Sequence, residues 1–319
     1  MPTTSDAFDF DGPALAATPD RYQLELPGPV RSELMRLLVA IGRGDDVTAA
    51  VHAVMAEAHA RVAAALADGP GLFLLRGVPT RGHDRDVLAT LFTAMGRALG
   101  RPAPQNLDGE LLTDIRDTGA DPADPDVRLY RTRAEQDFHT DGADVIGLLA
   151  LQAARQGGIS RVVSSVRVYH ELARQRPDLA ELLHAPWFFH LPGGRARGLP
   201  EALPRPIVRR VGAKLETFYI GWYLRNAQGL AGVPPLSAAQ HEALALYEAL
   251  ANDLRLFVDM DLVPGDVQWL RNCFVLHKRT GYEDWPEPER RRHLLRLWLQ
   301  VDRLADGTPR FPTEGGTPR

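Results

Sequence analysis

The chain has 319 residues, of which 45% are hydrophobic, which is enough for one large domain or two small ones. Its formal net charge of -4 excludes a strongly basic surface that would attract nucleic acid or an anionic membrane, so a small-molecule partner is favoured. The single cysteine, Cys273, excludes an internal disulfide framework. Because we find no secretory signal and no apolar run of membrane-spanning length, we expect a cytoplasmic protein. Assembly into a homo-oligomer is an open alternative.

The amino-terminal part of the chain predicts an arm followed by a helix and a strand. Residues 1–20 lack periodicity and are predicted to form a flexible arm that joins the domain near Tyr22 to Leu26. Apolar residues recur at helical spacing from Val47 to Leu66, and Asp68-Gly69-Pro70 ends this helix. Leu72 to Leu75 is then predicted to be a buried strand.

A second helix and a long loop complete this half of the chain. The helix places Val87, Leu91, Met95 and Leu99 on one stripe and ends at Gly100. The stretch from Leu107 to Asp126 is rich in Gly, Pro and Asp and is predicted to be a loop.

Beyond Tyr130 short β-like runs dominate, and two predicted helices interrupt them, one from Tyr169 to Leu183 and one from Ser237 to Asn252. The second helix opens with the capping box Ser237-Ala-Ala-Gln240. No repeat or composition shift divides the chain, so we predict a single α+β domain over residues 21–310, with helices on a β core, and a flexible tail over residues 311–319. The β-like runs are Val145 to Leu151, Ser160 to Val168, Lys214 to Ile220, Leu254 to Met260 and Val267 to Leu276.

Two histidines and an aspartate have the spacing of a metal site. Phe138-His139-Thr140-Asp141-Gly142 places an imidazole and a carboxylate on one face of an extended chain, although a capped turn would also explain this pattern alone. A strand predicted from Val267 to His277 would direct His277 and Cys273 to one side and Asn272 to the other. On adjacent strands, His139, Asp141 and His277 would form the facial triad of non-haem iron(II) oxygenases, which leaves three positions for a 2-oxo acid and dioxygen.

The remaining histidine patterns predict no ligands. His52 and His59 are seven residues apart on one helix face, for which a solvated face is the simpler interpretation. His170-Glu171 and His241-Glu242 lack the second histidine of a zinc-protease helix.

The segment Arg290-Arg291-Arg292-His293-Leu294-Leu295-Arg296 supplies cations for the far end of a dicarboxylate co-substrate, because bidentate pairing selects arginine over lysine. Arg292 and Arg296 are four residues apart, so they share a face if the strand is extended. The alternative for residues 290–292 is a solvated basic run. Lys278 and Arg279 either add positive charge near the site or face solvent.

In this order and spacing, five segments resemble the taurine dioxygenase family, within the clavaminate synthase-like 2-oxoglutarate oxygenases. The resemblance covers the chain from about Tyr130 to Leu299. The segments are FHTDG at 138–142, GGIS at 157–160, PGD at 264–266, NCFVLHKRTGYED at 272–284 and RRRHLLRLWL at 290–299.

The resemblance implies a double-stranded β-helix (jelly-roll) core with flanking helices, and Fe(II) held by His139, Asp141 and His277. It also implies that 2-oxoglutarate binds with its distal carboxylate on Arg292 and with the hydroxyl of Ser160 nearby. Arg296 matches a position that contacts an anionic group of the prime substrate in some relatives. Which of the two arginines takes which carboxylate stays open at this point.

The implied reaction consumes O2 and 2-oxoglutarate, releases succinate and CO2, and hydroxylates an unactivated C–H bond of a small anionic or zwitterionic metabolite. Related halogenases lack the carboxylate that Asp141 provides, which argues against halogenation. Desaturation, epimerisation or ring formation in natural-product biosynthesis are alternatives. A metal-binding protein of the same fold that has no catalytic turnover is another alternative. A cupin-like metalloprotein is a further one, but it would leave Arg292 and Arg296 without a role. Candidate substrate residues, besides Arg296, are Tyr219, Trp222, Arg225, Gln105 and Asn106, although the aromatic pair is also explained by core packing.

Overall fold

The structure is a computed structural model that describes residues 7–106, 109–122, 127–195 and 198–301. The helices are α1 (Gly12–Ala16), α2 (Gly28–Gly42), α3 (Thr48–Val54), α4 (Ala56–Asp68), α5 (Arg85–Arg97), α6 (Ser165–Gln175), α7 (Pro177–Leu182), α8 (Gly221–Ala227) and α9 (Ala238–Ala251). The strands are β1 (Gln23–Glu25), β2 (Leu72–Arg76), β3 (Arg101–Pro102), β4 (Leu112–Ile115), β5 (Gln136–His139), β6 (Val145–Gln152), β7 (Gln156–Gly157), β8 (Ser160–Ser164), β9 (Trp187–His190), β10 (Ala202–Arg205), β11 (Val208–Val211), β12 (Lys214–Thr217), β13 (Phe257–Met260), β14 (Val267–Arg271), β15 (Val275–Arg279), β16 (Tyr282–Glu283) and β17 (His293–Gln300).

Two sheets pack face to face at the centre of the molecule. The larger sheet has the strand order β1-β2-β14-β6-β17-β3, with β4 also paired to β17, and the smaller has the order β13-β8-β15-β5. Apolar side chains from both sheets form one cluster between them, to which Ile146 and Leu270 contribute from the larger sheet and Val162 and Val275 from the smaller. The face of each sheet that points toward the other is called the inner face below.

Helices cover the outer face of each sheet, as the sequence predicts. Helices α2 to α5 pack on the larger sheet through a cluster that includes Leu34, Val62, Phe92 and Trp269. Helices α6 to α9 pack on the smaller sheet. The order of layers is therefore helix, sheet, sheet, helix, and the predicted α+β class is confirmed. Among the described residues, no helix is both long and apolar enough to cross a membrane.

The segment predicted as a flexible arm is packed from residue 7 onward, which departs from that expectation. Phe8 is buried and stacks on Phe274, with 3.9 Å between the ring centroids. Helix α1 is capped by the side chain of Asp11 and lies so close to β13 that a Cβ on Gly12 would fall 2.1 Å from the carbonyl oxygen of Phe257. Burial of Phe8 and the packing of α1 against β13 explain why this segment is packed on the domain. Residues 1–6 and the predicted tail at 311–319 lie outside the described residues.

Several element predictions need correction at their ends. The run predicted from Ser160 to Val168 is a strand only as far as Ser164, whose side chain then caps α6 by accepting from the backbone N–H of Arg167. The predicted loop from Leu107 to Asp126 contains β4, which pairs with β17. The capping box at Ser237 and Gln240 is confirmed.

The strand predicted from Val267 to His277 is two strands. Residues 272–274 form a turn between β14 and β15, so the alternation predicted across them does not hold. Cys273 packs with the outer cluster beneath α6 to α9, away from the inner face. The prediction that Cys273 shares a face with His277 was therefore wrong.

Candidate active site

The three predicted metal ligands meet at one end of the smaller sheet. His277 on β15 is the direct cross-strand partner of His139 on β5, and Asp141 follows β5 by two residues. One ligand atom from each residue can be chosen so that all three lie within 4.8 Å of one another, and all three residues are buried. Val275, in alternation with His277, belongs to the cluster between the sheets, so His277 points to the inner face.

Hydrogen bonds fix how the two imidazoles present their nitrogen atoms. Nδ1 of His139 donates to the backbone carbonyl of Asp137 at 2.7 Å, which leaves Nε2 with a lone pair toward the site. The side-chain amide of Gln136 lies 3.1 Å from that Nε2. Nε2 of His277 is 3.8 Å from Oδ2 of Asp141, beyond hydrogen-bond distance, and its buried Nδ1 has no hydrogen-bond partner.

The protonation states of the site suit a cation. Burial lowers the pKa of His139, and burial together with the charge of His139 lowers the pKa of His277 to about 3. Burial alone would raise the pKa of Asp141, but the nearby charge of Arg296, with a further effect of the two imidazoles when they are protonated, brings it below its usual value. At neutral pH the site therefore offers two neutral imidazoles and one carboxylate, the forms that bind metals.

These residues fit a bound Fe(II). The buried imidazoles and carboxylate lie close together, and His277 and Asp141 are not hydrogen-bonded to each other, so these three side chains would be able to hold a metal ion. Two histidines and one carboxylate form the donor set of non-haem iron(II) oxygenases.

Two side chains that the sequence analysis did not assign to the site, Asn272 and Trp298, hydrogen-bond to Asp141, and the candidate substrate residue Gln105 hydrogen-bonds to Arg296. Asn272 accepts from the backbone N–H of Asp141 at 2.7 Å and donates to the carbonyl oxygens of Asp141 and Ala143. The indole N–H of Trp298 donates to Oδ2 of Asp141 at 3.2 Å. Gln105, named only as a candidate pocket residue, accepts from Nε of Arg296 at 2.7 Å. The earlier expectation that Asn272 points away was wrong because the turn at residues 272–274 resets the alternation.

Arg296 lies beside the metal ligands. Its Nη1 is 3.3 Å from Oδ2 of Asp141, and the side chain is buried. Trp298 and Leu294, at the same alternation as Arg296, belong to the inner cluster, whereas Leu295 and Leu297 belong to the outer one. The side chain of Arg296 therefore projects from the inner face of β17.

Arg292 lies just before β17 and is buried as well. Its guanidinium is 5.2 Å from the centre of the Tyr282 ring, and its Nη1 has no hydrogen-bond partner. Burial, then the nearby charge of Arg279, lowers the pKa of Arg292 to about 10, so it stays cationic at neutral pH. Gly158, with φ of +73°, packs against it so closely that a Cβ would lie 2.9 Å from Nε. The glycine at position 158 in the GGIS segment therefore leaves space for this guanidinium.

The other predicted co-substrate residue, Ser160, is buried on β8. Its hydroxyl donates to the side-chain oxygen of Gln268 on the opposite sheet at 3.0 Å. The basic run at 290–292 is not uniformly solvated, since Arg290 and Arg291 are exposed while Arg292 is buried. Lys278 is buried too, with its ammonium 2.6 Å from Glu135 and 2.8 Å from Asn252.

The candidate substrate residues separate into two groups. The ring of Trp222 lies 4.9 Å from that of His139, which places it at the metal site. Tyr219 is buried and donates its hydroxyl hydrogen to Glu248, which also accepts from Arg225. The side chain of Asn106 hydrogen-bonds with Glu110 in its own loop. Trp222 and Arg296 are thus the predicted substrate residues that directly contact the metal ligands.

The fold and this donor set define a non-haem iron oxygenase class, and comparison with known proteins identifies the family. Residues 37–298 match the model of the taurine catabolism dioxygenase TauD, TfdA family. The chain belongs to this family, and it is a 2-oxoglutarate-dependent dioxygenase whose cofactors are Fe(II), 2-oxoglutarate and O2.

Relatives at the sequence level include FR-33289 synthase from Streptomyces rubellomurinus, 33% identical over 80% of this chain and 75% of the relative. A taurine hydroxylase-like protein from Stachybotrys chartarum is 31% identical over 74% of this chain and 62% of its own length. A uridine-5'-phosphate dioxygenase from an Amycolatopsis species is 29% identical over 56% of this chain and 66% of its own length.

Solved structures show the shared fold. Asparagine oxygenase in complex with Fe(II), 3-hydroxyasparagine and succinate superposes with a TM-score of 0.68 at 20% identity, covering 92% of this chain and 98% of that one. The non-haem iron oxygenase OrfP in complex with Fe, succinate and a dihydroxy-arginine gives a TM-score of 0.66 at 16% identity, covering 87% and 93%.

Proposed function

We propose that this enzyme hydroxylates an unactivated C–H bond of a small anionic or zwitterionic metabolite and releases succinate and CO2. The observation that carries the proposal is the pairing of the buried His139, Asp141 and His277 cluster with the buried, incompletely hydrogen-bonded guanidinium of Arg292. A metal-binding protein without 2-oxoglutarate would have no use for that guanidinium. The two facing sheets would be the halves of a double-stranded β-helix.

The proposed roles follow from the positions of the side chains. His139, Asp141 and His277 would hold Fe(II), and Arg292 with the hydroxyl of Ser160 would bind the distal carboxylate of 2-oxoglutarate. When bound, the metal, co-substrate and O2 supply the oxidising chemistry. The protein orients the reactants and excludes water, which matches the burial of all five side chains.

Arg296 and Trp222 are the proposed contacts for the prime substrate. Nε and Nη1 of Arg296 already contact Gln105 and Asp141, so an anionic substrate group would be met by Nη2. The ring of Trp222 beside His139 would form an apolar wall next to the reacting C–H bond. A relative named for uridine-5'-phosphate, itself an anion, supports the choice of an anionic substrate.

Two measurements test the proposal. First, adding 2-oxoglutarate to the Fe(II)-loaded enzyme without oxygen should produce a weak visible charge-transfer band, and screening small metabolites should reveal one that stimulates succinate release. Second, His139→Ala or His277→Ala should abolish iron binding and turnover, because a facial triad has no spare protein ligand. His241→Ala, at an exposed histidine on α9, is the matched control. Normal succinate release by folded His277→Ala would refute the metal assignment.

A further inference from the structure

Arg279 lies on the same strand as the metal ligand His277 and points in the same direction. The two are separated by one residue on β15, so their side chains project from the same inner face, roughly 7 Å apart along the strand. In the pairing of β15 with β8, His277 is opposite Val162 and Arg279 is opposite Ser160. The Arg279 side chain therefore leaves the backbone next to Ser160, which carries the proposed co-substrate hydroxyl, and two residues along the strand from His277.

The Arg279 guanidinium is buried, and some of its hydrogen-bond donors have no acceptor. One terminal nitrogen, Nη2, donates to the backbone carbonyl of Ala134, but Nε and Nη1 are buried without a hydrogen-bond partner. The flat face lies 4.9 Å from the centre of the Tyr282 ring. A buried cation with two nitrogen atoms whose N–H groups have no acceptor is costly unless a further group accepts from them.

The guanidinium of Arg292 lies against the same tyrosine ring. Its Nη1 is likewise buried without a hydrogen-bond partner. The two like charges repel, and Arg279 contributes to lowering the pKa of Arg292. The carboxylates that act on this pair are Asp284 and Asp117. Asp284 accepts the backbone N–H of Arg292 through Oδ1, and its Oδ2 is buried without a hydrogen-bond partner. Asp117 is paired with Arg133. Neither carboxylate hydrogen-bonds to the open guanidinium donors.

We propose that Arg279 binds the distal carboxylate of 2-oxoglutarate together with Arg292, an inference that rests on the proposed function. The separation from His277 along the strand is about the reach of a five-carbon dicarboxylate chelated at its other end. One carboxylate has enough lone pairs to accept from both guanidiniums and from a hydroxyl. Its negative charge would also remove the repulsion between the two arginines.

The test compares two co-substrates by anaerobic titration of the Fe(II) enzyme, with the charge-transfer band as readout. 2-Oxoglutarate carries the distal carboxylate, whereas 2-oxopentanoate has the same chain length and chelating end without it. Arg279→Gln should raise the Kd of 2-oxoglutarate about tenfold to a hundredfold, the value of one charge-assisted hydrogen bond, and should leave the Kd of 2-oxopentanoate unchanged. Arg279→Lys, which keeps the charge but not the planar fork, should lie between wild type and Arg279→Gln.

Lys278→Gln is the matched control, because this neighbouring buried cation faces the other side of the strand and pairs with Glu135 and Asn252. It should leave the preference for 2-oxoglutarate over 2-oxopentanoate unchanged. If Arg279→Gln weakens both acids equally, or neither, Arg279 is a structural residue and the inference is wrong. If Arg279→Gln does not fold, the same comparison is made with Arg279→Lys. The absence of a band in the wild-type enzyme with either acid would instead overturn the proposed function itself.

Discussion

Replacing Arg292 by alanine is the most direct perturbation of the proposed co-substrate site. Arg292 is 5% exposed and its Nη1 has no protein partner, so the carboxylate it binds would be left buried without its main cation. Loss of one partner from a buried ion pair costs about 3–5 kcal/mol. That corresponds to a loss of affinity of roughly two to four orders of magnitude. Arg292→Lys should recover only part of it, because the planar fork is gone.

The assay is a titration of 2-oxoglutarate at fixed iron and oxygen, with succinate release as readout. Arg292→Ala should raise the Michaelis constant for 2-oxoglutarate steeply. Arg291→Ala should not, because Arg291 is exposed and donates to the backbone carbonyls of Trp285 and Pro286. Arg296→Ala should instead uncouple succinate release from substrate oxidation. If Arg296→Ala carries the large 2-oxoglutarate defect, the two roles must be exchanged, and if neither variant is affected the 2-oxoglutarate assignment fails.

Three further predictions follow from contacts around the site and the core. Gly158→Ala should weaken 2-oxoglutarate binding without affecting Fe(II) affinity, because its Cβ would press on the Arg292 guanidinium; unchanged binding would refute this. Asn272→Asp keeps the shape of the side chain but loses two donated hydrogen bonds, so the affinity for Fe(II) should fall about tenfold to a hundredfold. Equilibrium dialysis measures this affinity, and a wild-type value would show that the backbone of Asp141 needs no support from Asn272. Burial, then the charge of His52, lowers the pKa of His59 to about 4, so protonation of His59 favours the unfolded chain. The free energy of unfolding should therefore fall by up to about 3 kcal/mol from this residue between pH 6.5 and 4, and His59→Leu should show a smaller fall in urea titrations; an identical pH profile would exclude the residue as the cause.

The cluster of His139, Asp141 and His277 could be predicted from the sequence because its chemistry imposes local spacing. His139 and Asp141 are two residues apart, and His277 lies in an apolar run downstream. The alternation predicted through residues 272–274 was wrong, but within β15 His277 still shares a face with the inner residue Val275. The buried position of Arg292 beside exposed Arg290 and Arg291 could not be predicted in this way. It depends on Tyr282 and Gly158, which come from other parts of the chain.

The amino-terminal segment illustrates a second limit. Phe8 and Phe10 alternate with two aspartates, but this pattern is too short to predict a strand, and no helix or strand includes either residue. The partners of Phe8, which are Phe274 and the hydroxyl of Ser164, are more than 150 residues away in sequence. Two aromatic residues in a short polar segment give the same local pattern whether or not a distant surface binds them, so the sequence could not distinguish a flexible arm from a packed segment.

The position of Asp141 depends on both sheets, which has a consequence for the whole site. The histidine ligands come from β5 and β15 of the smaller sheet, whereas Arg296 and Trp298, which contact the carboxylate of Asp141, come from β17 of the larger one. Asn272, in the turn that joins β14 of the larger sheet to β15 of the smaller, holds its backbone. The distance between carboxylate and imidazoles is therefore set by how the sheets pack. A substitution that opens the inner cluster should loosen metal binding even when it contacts no ligand.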